Sequence, residues 1–578
     1  MKQAPCLLLA AALLATATAS AQPLQRKRNF THQDTLRGTV NEHRAWWDVQ
    51  RYDVSVTPDF TTRTVKGHVD LYFRTKTAPG SNFLQIDLQQ PMQIDTAVLH
   101  PAMGANLPKP GGSKKADYRL VAVTGGDLLP DQTFRREGNA YFIAPGKLEA
   151  NKTYRLRLSY SGVPRPAVNP PWDGGWIWKK DRQGNAWMSV ACQGLGASVW
   201  YPCKDHQSDE PDLGASLSMT VPDTMRAIAN GRPTGERSNA DYKLRTYSWE
   251  VNSPINSYNI VPYIGKYVTF SDTLMGEGGK LDLNYWVLEA NLEKAKKQFE
   301  QVKPMMRAFE YWFGAYPFYE DGFKLVESPH LGMEHQSAVA YGNQYKNGYL
   351  GMDRSGSGHG KDWDYIIVHE SGHEWFANNI TTKDIADMWV HEGFTTYSEA
   401  LFIEYFKGKE AADAYVQGLR RNISNDRPII GYYGVNQEGS GDMYDKGANM
   451  IHTIRTVIND DKLFREILRG MNKDFHHGTV TTQQVEQYIS KKSGKDLSKI
   501  FDQYLRTTQI PELELKADGD KVKFRWVNCI DGFNMPVRLS NGQWIKPTTA
   551  EGKLKLEGAN FDGVTVDKNF YIQVAKGS

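Results

Sequence analysis

The hydrophobic period of this chain changes twice, and that change restricts the folds open to it. From about residue 45 to 270 apolar side chains alternate with polar ones, as in Val69, Leu71 and Phe73, and again in Tyr154, Leu156, Leu158 and Tyr160. Period-two runs punctuated by Pro79-Gly80 and Gly125-Gly126 read as half-buried strands joined by turns. Near residue 285 the spacing switches to three and four. Leu292, Ala295, Phe299, Val302, Met306 and Phe309 form one stripe of an amphipathic helix, which Pro304 kinks or divides. Helical patterns continue over 365–379, 395–406 and 446–458, then through a final pair that stops before Pro511. Leu513 and Leu515, the Asp518-Gly519 turn, and Val522, Phe524 and Trp526 then predict a hairpin. Strands, helices and strands in blocks, rather than in alternation, imply a multidomain α+β protein. The expected divisions are an N-terminal antiparallel β domain at 22–272, a mostly helical domain at 273–507 and a small C-terminal β module at 508–578. The polar stretch 22–44 is expected to be an extended arm.

Residues 1–21 stand apart. Lys2, the apolar run 7–15 and Ala19-Ser20-Ala21 have the order of a secretory signal peptide cleaved near Ala21. The run is too short to span a bilayer, which takes about 20 apolar residues. No later stretch is apolar enough, so a secreted or periplasmic chain without a transmembrane segment is expected. Lys and Arg total 69 against 66 Asp and Glu, a net charge of +3, which argues against nucleic acid as a partner. Removing the leader leaves Cys192, Cys203 and Cys529, an odd number and no disulfide framework. A single Cys192–Cys203 bridge and three buried thiols both stay open.

His369-Glu370-Ser371-Gly372-His373 matches H-E-x-x-H. Four helical residues turn about 400°, so both imidazoles leave one face and can share a metal. Glu370 lies about 100° around the helix from His369, which suits a base facing water rather than a ligand. The bland alternative is two helix histidines in ordinary polar contacts. Nineteen residues past His373, Glu392 offers a third ligand at the start of the next helical pattern. Two His and one Glu leave a fourth tetrahedral position for water, the arrangement of a catalytic zinc. His391 is a rival ligand, but Thr395 occupies the position of its own i+4 partner, so a supporting role is expected for it.

This spacing resembles the gluzincin aminopeptidases, the family of aminopeptidase N and the leukotriene hydrolase. Three further elements extend the resemblance from about residue 50 to 507. Leu331-Gly332-Met333-Glu334-His335 resembles the family's G-x-M-E-N element, and Tyr444-Asp445-Lys446-Gly447 its Y-E-K-G element. Cys192-Gln193, followed by Tyr201-Pro202-Cys203-Lys204-Asp205, resembles the substrate-facing loop of its β domain. The resemblance implies a thermolysin-like catalytic domain with one zinc held by His369, His373 and Glu392. It implies Glu370 as general base and Tyr444 as hydrogen-bond donor to the oxyanion. It also implies Glu334 and Gln193 as acceptors for a peptide's free N-terminus, with Gly332 and Met333 lining the extended substrate. The partner would be a peptide with a free α-ammonium. Leu331 replaces the family's usual Gly and His335 its usual Asn, both in the recognition element.

Two other functions compete with a zinc aminopeptidase: an epoxide hydrolase on the same metal site, and a non-catalytic scaffold of the same fold. Three further features take the plain reading. The Trp172–Trp176 cluster is expected to pack beside the Gln193 loop, and His476-His477 to be a solvated helix end. The Asn379-Ile380-Thr381 glycosylation pattern, just past the H-E-x-x-H helix, is set aside.

Overall fold

The computed structural model describes residues 29–80, 82–103, 127–129, 134–558 and 560–577, so the leader-like segment lies outside the described residues. Trp47–Asp59 and Thr64–Thr75 pair antiparallel at the centre of an eight-stranded sheet. The alternating positions Val54, Val69, Leu71 and Phe73 are buried, the outcome of the period-two pattern. This sheet is antiparallel except where Trp47–Asp59 runs parallel to Ala215–Pro222. A four-stranded sheet containing Gly175–Lys180 and Ala186–Ala191 shares its hydrophobic core.

The expected extended arm is instead helical at His32–Gly38 and Glu42–Ala45. Asp34 accepts from both the Thr31 N–H and its hydroxyl, closing the first helix end. Arg44 is fully buried and pairs with Asp87, while Arg37 donates to the Gly194 carbonyl at 3.4 Å. Arg37 thereby ties this segment to the loop after Gln193, and composition cannot separate that role from exposure.

The division expected after 272 falls inside the strand Tyr267–Gly276. That strand opens a five-stranded sheet with Gly279–Leu288, Phe323–Glu327, Val339–Tyr341 and, at its edge, Gly332–Met333. The amphipathic stripe forms Leu292–Gln298, a tighter turn at Phe299–Gln301, and Val302–Phe313. The break comes just before Pro304, which lacks an N–H and sits readily in a first helical turn.

Tyr365–Gly372 and Trp389–Lys407 are helices of another kind. Every residue of the first, and Trp389 through Ile403 of the second, is buried. Asp364 caps the first: its carboxylate accepts from the Ile366 and Ile367 N–H groups, the Tyr341 hydroxyl (2.7 Å) and the Asn343 amide (2.8 Å). Asp364→Ala removes the cap and strands two buried donors, so about 2–4 kcal/mol of stability should be lost in urea unfolding. A loss under about 0.5 kcal/mol, within the range of ordinary surface changes, would refute this account. At the C-terminus Glu512–Asp518 and Lys521–Val527 form the expected hairpin within a four-stranded sheet. Its Leu513, Leu515 and Trp526 are continuous with the core of the helical region.

Candidate active site

His369 Nδ1 lies 2.7 Å from Glu399 Oε1, and His373 Nδ1 lies 3.0 Å from the Phe376 carbonyl oxygen. Carboxylate and carbonyl oxygens only accept, so each imidazole carries a proton on Nδ1 and turns Nε2 to Glu392. Against the downward push of burial, Glu392 and Glu399 raise His369 to about 10, so a metal binds there by displacing the Nε2 proton. Those two Nε2 atoms stand 3.7 and 3.4 Å from Glu392 Oε2. A tetrahedral zinc with bonds of about 2.0–2.1 Å holds its ligand atoms about 3.3 Å apart, close to this spacing. Glu392 Oε2 is buried and has no hydrogen-bond donor among the described residues, a deficit that a cation removes. Against the upward push of burial, His373 and His369 hold the Glu392 carboxyl below the usual carboxylate range. The donor set fits zinc better than the all-oxygen cages of magnesium or calcium.

A break in the chain completes this arrangement. The motif helix stops at Gly372, and Glu374–Asn378 form a wide π-type turn in which Ala377 takes φ 149°. A non-glycine residue there is strained, and such strain collects at functional sites. The turn frees the Phe376 carbonyl to orient His373. His391 is outside the ligand set, as expected: its Nε2 accepts the Thr382 N–H at 2.9 Å, and burial pushes it down to about 3.

The other expected residues converge on the same centre. A Cβ at Gly332 would lie 2.5 Å from Glu370 Oε1, so only glycine lets the edge strand approach this closely. Glu334 follows that strand, and Glu334, Glu370 and His373 bring ligand-type atoms within 4.8 Å of one another. Burial pushes the Glu370 carboxyl up to about 7, against His369 and His373, and burial also raises Glu334. The Tyr258 hydroxyl donates to Glu334 Oε1 at 3.0 Å, and the Gln193 side chain stands beside the same hydroxyl. Tyr444 stacks on His369 with ring centroids 6.1 Å apart. Burial, with Glu392 alongside, raises its phenol well above the ordinary value, so it remains a donor. Its approach depends on a close helix crossing, since a Cβ at Gly447 would lie 3.0 Å from the Gly393 Cα.

Several participants were not anticipated. Glu399 lies two helical turns after Glu392 on the same face, a spacing that could have revealed it. Tyr258 and the Phe376 carbonyl carry no local signal. The two departures in the recognition element are packing residues: Leu331 lies against the helical core, and the fully buried His335 bonds the Tyr263 hydroxyl. Cys192 and Cys203 are buried free thiols rather than a bridge, and Cys192 Sγ donates to the Tyr258 carbonyl at 3.4 Å. Trp176 packs on Trp178 and Trp200 as expected of a loop anchor. His476 is exposed, as expected of a helix end, whereas His477 is partly buried: it stacks on Phe318 at 5.0 Å and donates to the Pro317 carbonyl.

A buried His-His-Glu set with a further carboxylate, Glu370, beside it is a donor set that fits a catalytic zinc. Residues 297–504 match the model of the Peptidase family M1 domain. Probable aminopeptidase 2 of Sulfurisphaera tokodaii is 20% identical over 493 residues, covering 82% of this chain and 55% of its own. Leukotriene A-4 hydrolase of Xenopus laevis is 23% identical over 368 residues, covering 59% of this chain and 57% of its own. The chain thus spans about half the length of the curated relatives it matches. An M1 zinc metallopeptidase from Deinococcus radiodurans shares the fold, with TM-score 0.63, 20% identity, and coverage of 80% of this chain and 94% of that one. A mutant of that protein has been crystallised with the substrate Tyr-Ser-Ala.

Proposed function

We propose that this chain is a secreted zinc aminopeptidase that removes residues from the free N-terminus of peptides. The observation that carries the reading is Glu334, a buried carboxylate beside Glu370 and His373 at the end of an open edge strand. A buried anion calls for a cationic partner, and a peptide's α-ammonium supplies one through a charge-assisted bond. Gly332 and Met333 offer main-chain hydrogen bonds to an extended peptide. An epoxide substrate has no ammonium for Glu334 to meet, so the peptide reading is favoured. Secretion rests on the leader-like composition of residues 2–21.

When bound, zinc polarises the scissile carbonyl and acidifies a water. Glu370 takes the proton of the attacking water and passes it to the leaving amine. Tyr444 donates its phenolic hydrogen to the carbonyl oxygen as negative charge develops there. Glu399 and the Phe376 carbonyl keep both imidazoles in the tautomer that turns Nε2 to the metal.

The test compares a peptide with its N-acetylated form. Acetylation removes the charge and leaves Glu334 buried without its partner, so wild type should reject the acetylated peptide. Glu334→Ala should lower kcat/KM for the free amine by about two orders of magnitude, since stranding one member of a buried charged pair costs about 2–5 kcal/mol. It should also narrow the gap between the two substrates. Equal cleavage of both by wild type would overturn the aminopeptidase reading and leave a zinc hydrolase.

A further inference from the structure

Arg354 takes no part in the chemistry described above, yet it touches both sides of the site. Its Nη1 donates to the Tyr365 hydroxyl at 2.8 Å, and its Nη2 lies 3.1 Å from Asp445 Oδ2 and 3.3 Å from Oδ1. Tyr365 opens the motif helix. Its ring stacks on His369 with centroids 5.1 Å apart and 16° between planes, and its hydroxyl is 3.1 Å from His369 Nδ1. His369 stacks in turn on Tyr444, at 22°. Asp445, the other partner of Arg354, directly follows Tyr444 and begins the helix Asp445–Ile458. The guanidinium also lies over the Tyr365 ring, 5.2 Å from its centroid.

These contacts close a ring: Arg354, Tyr365, His369, Tyr444, Asp445 and back to Arg354. We infer that Arg354 is a positioning residue that fixes the Tyr444 hydroxyl relative to the metal ligand His369. The chemistry explains the residue type. One planar guanidinium presents separate N–H groups to two acceptors in a set geometry, which a lysine ammonium on a flexible stem cannot reproduce. Tyr444 precedes its helix at φ −74°, ψ −85°, outside helical geometry, so its direction is tied to Asp445, the first residue of that helix. Holding Asp445 therefore sets where the phenol points, and a donor displaced by about 1 Å can cost on the order of 100-fold in rate.

The inference rests on the proposed role of Tyr444, and a double-mutant cycle separates the two. Arg354→Met and Tyr444→Phe would be made singly and together, and kcat and KM measured on an aminoacyl chromogenic substrate. Tyr444→Phe should lower kcat about 100-fold or more, the usual loss for one oxyanion donor. Arg354→Met should lower kcat at least 10-fold with KM within twofold, and Arg354→Lys should recover only part of it. The double variant should be no slower than Tyr444→Phe alone, because Arg354 acts through a hydroxyl already gone. Zinc affinity, read by chelator competition, should weaken about 10-fold in Arg354→Met through the lost Tyr365–His369 support. Multiplicative losses of kcat in the double variant, or unchanged kcat and zinc affinity in Arg354→Met, would overturn the inference. A Tyr444→Phe enzyme with wild-type kcat would instead overturn the role of Tyr444. Should Arg354→Met fail to fold, Asp445→Asn keeps the shape, weakens the same pair, and enters the same cycle with the same criteria.

Discussion

Glu370→Gln is expected to keep the fold and one bound zinc while lowering kcat about 1,000-fold, in the middle of the range for general acid–base catalysis. The substitution is nearly isosteric, and Glu370 is no member of the His369, His373 and Glu392 set, so ligand spacing should not change. An amide cannot accept the proton of the attacking water or return it to the leaving amine. A Cβ on Gly332 would already meet the Glu370 side chain at 2.5 Å, so little room is left there, and glutamine keeps the size of glutamate. KM should move little, because the carboxylate is needed chiefly in the transition state. The decisive measurements are metal content and single-turnover rate on the same preparation. Wild-type kcat with full zinc would remove Glu370 from the reaction, and loss of zinc would make it a ligand.

Chelation should abolish activity completely, and added zinc should restore it in wild type but not in Glu392→Ala. Removing Glu392 takes away the carboxylate that faces both Nε2 atoms and leaves only two imidazoles on the ligand face. Zinc content should fall from one per chain to near zero by elemental analysis. A chain that retains activity without metal, or that holds zinc equally well as Glu392→Ala, would refute the ligand assignment. Because protons and zinc compete for the same two Nε2 atoms, zinc affinity should also weaken as pH falls.

Part of this site could be read from the chain alone because its geometry is local. His369, Glu370 and His373 are placed by the pitch of one helix, and no distant residue is needed to put two imidazoles on one face. Glu392 follows from its ligand type and its place nineteen residues past His373, whereas Glu334, Tyr444 and Gln193 come from resemblance, since nothing in their own neighbourhoods indicates a shared centre. Glu399 had a signal in its two-turn spacing from Glu392 that was passed over. The motif helix and its successor are buried almost all round, so the helical patterns over 365–379 and 395–406 predict helices without showing which face meets which partner.

What the sequence determined by itself was the order of strands, helices and strands, and the metal-binding face of one helix. Both depend on backbone periods of two and 3.6 residues, which any short window of the chain contains. Tertiary structure alone decided that 32–45 is helical, that Cys192 and Cys203 stay unbridged, and that His335 faces Tyr263. It alone brought Tyr258 to Glu334 across 76 positions and Arg354 to Asp445 across 91. Such pairings depend on the close packing of several elements at once, and a buried polar group takes whichever partner that packing presents.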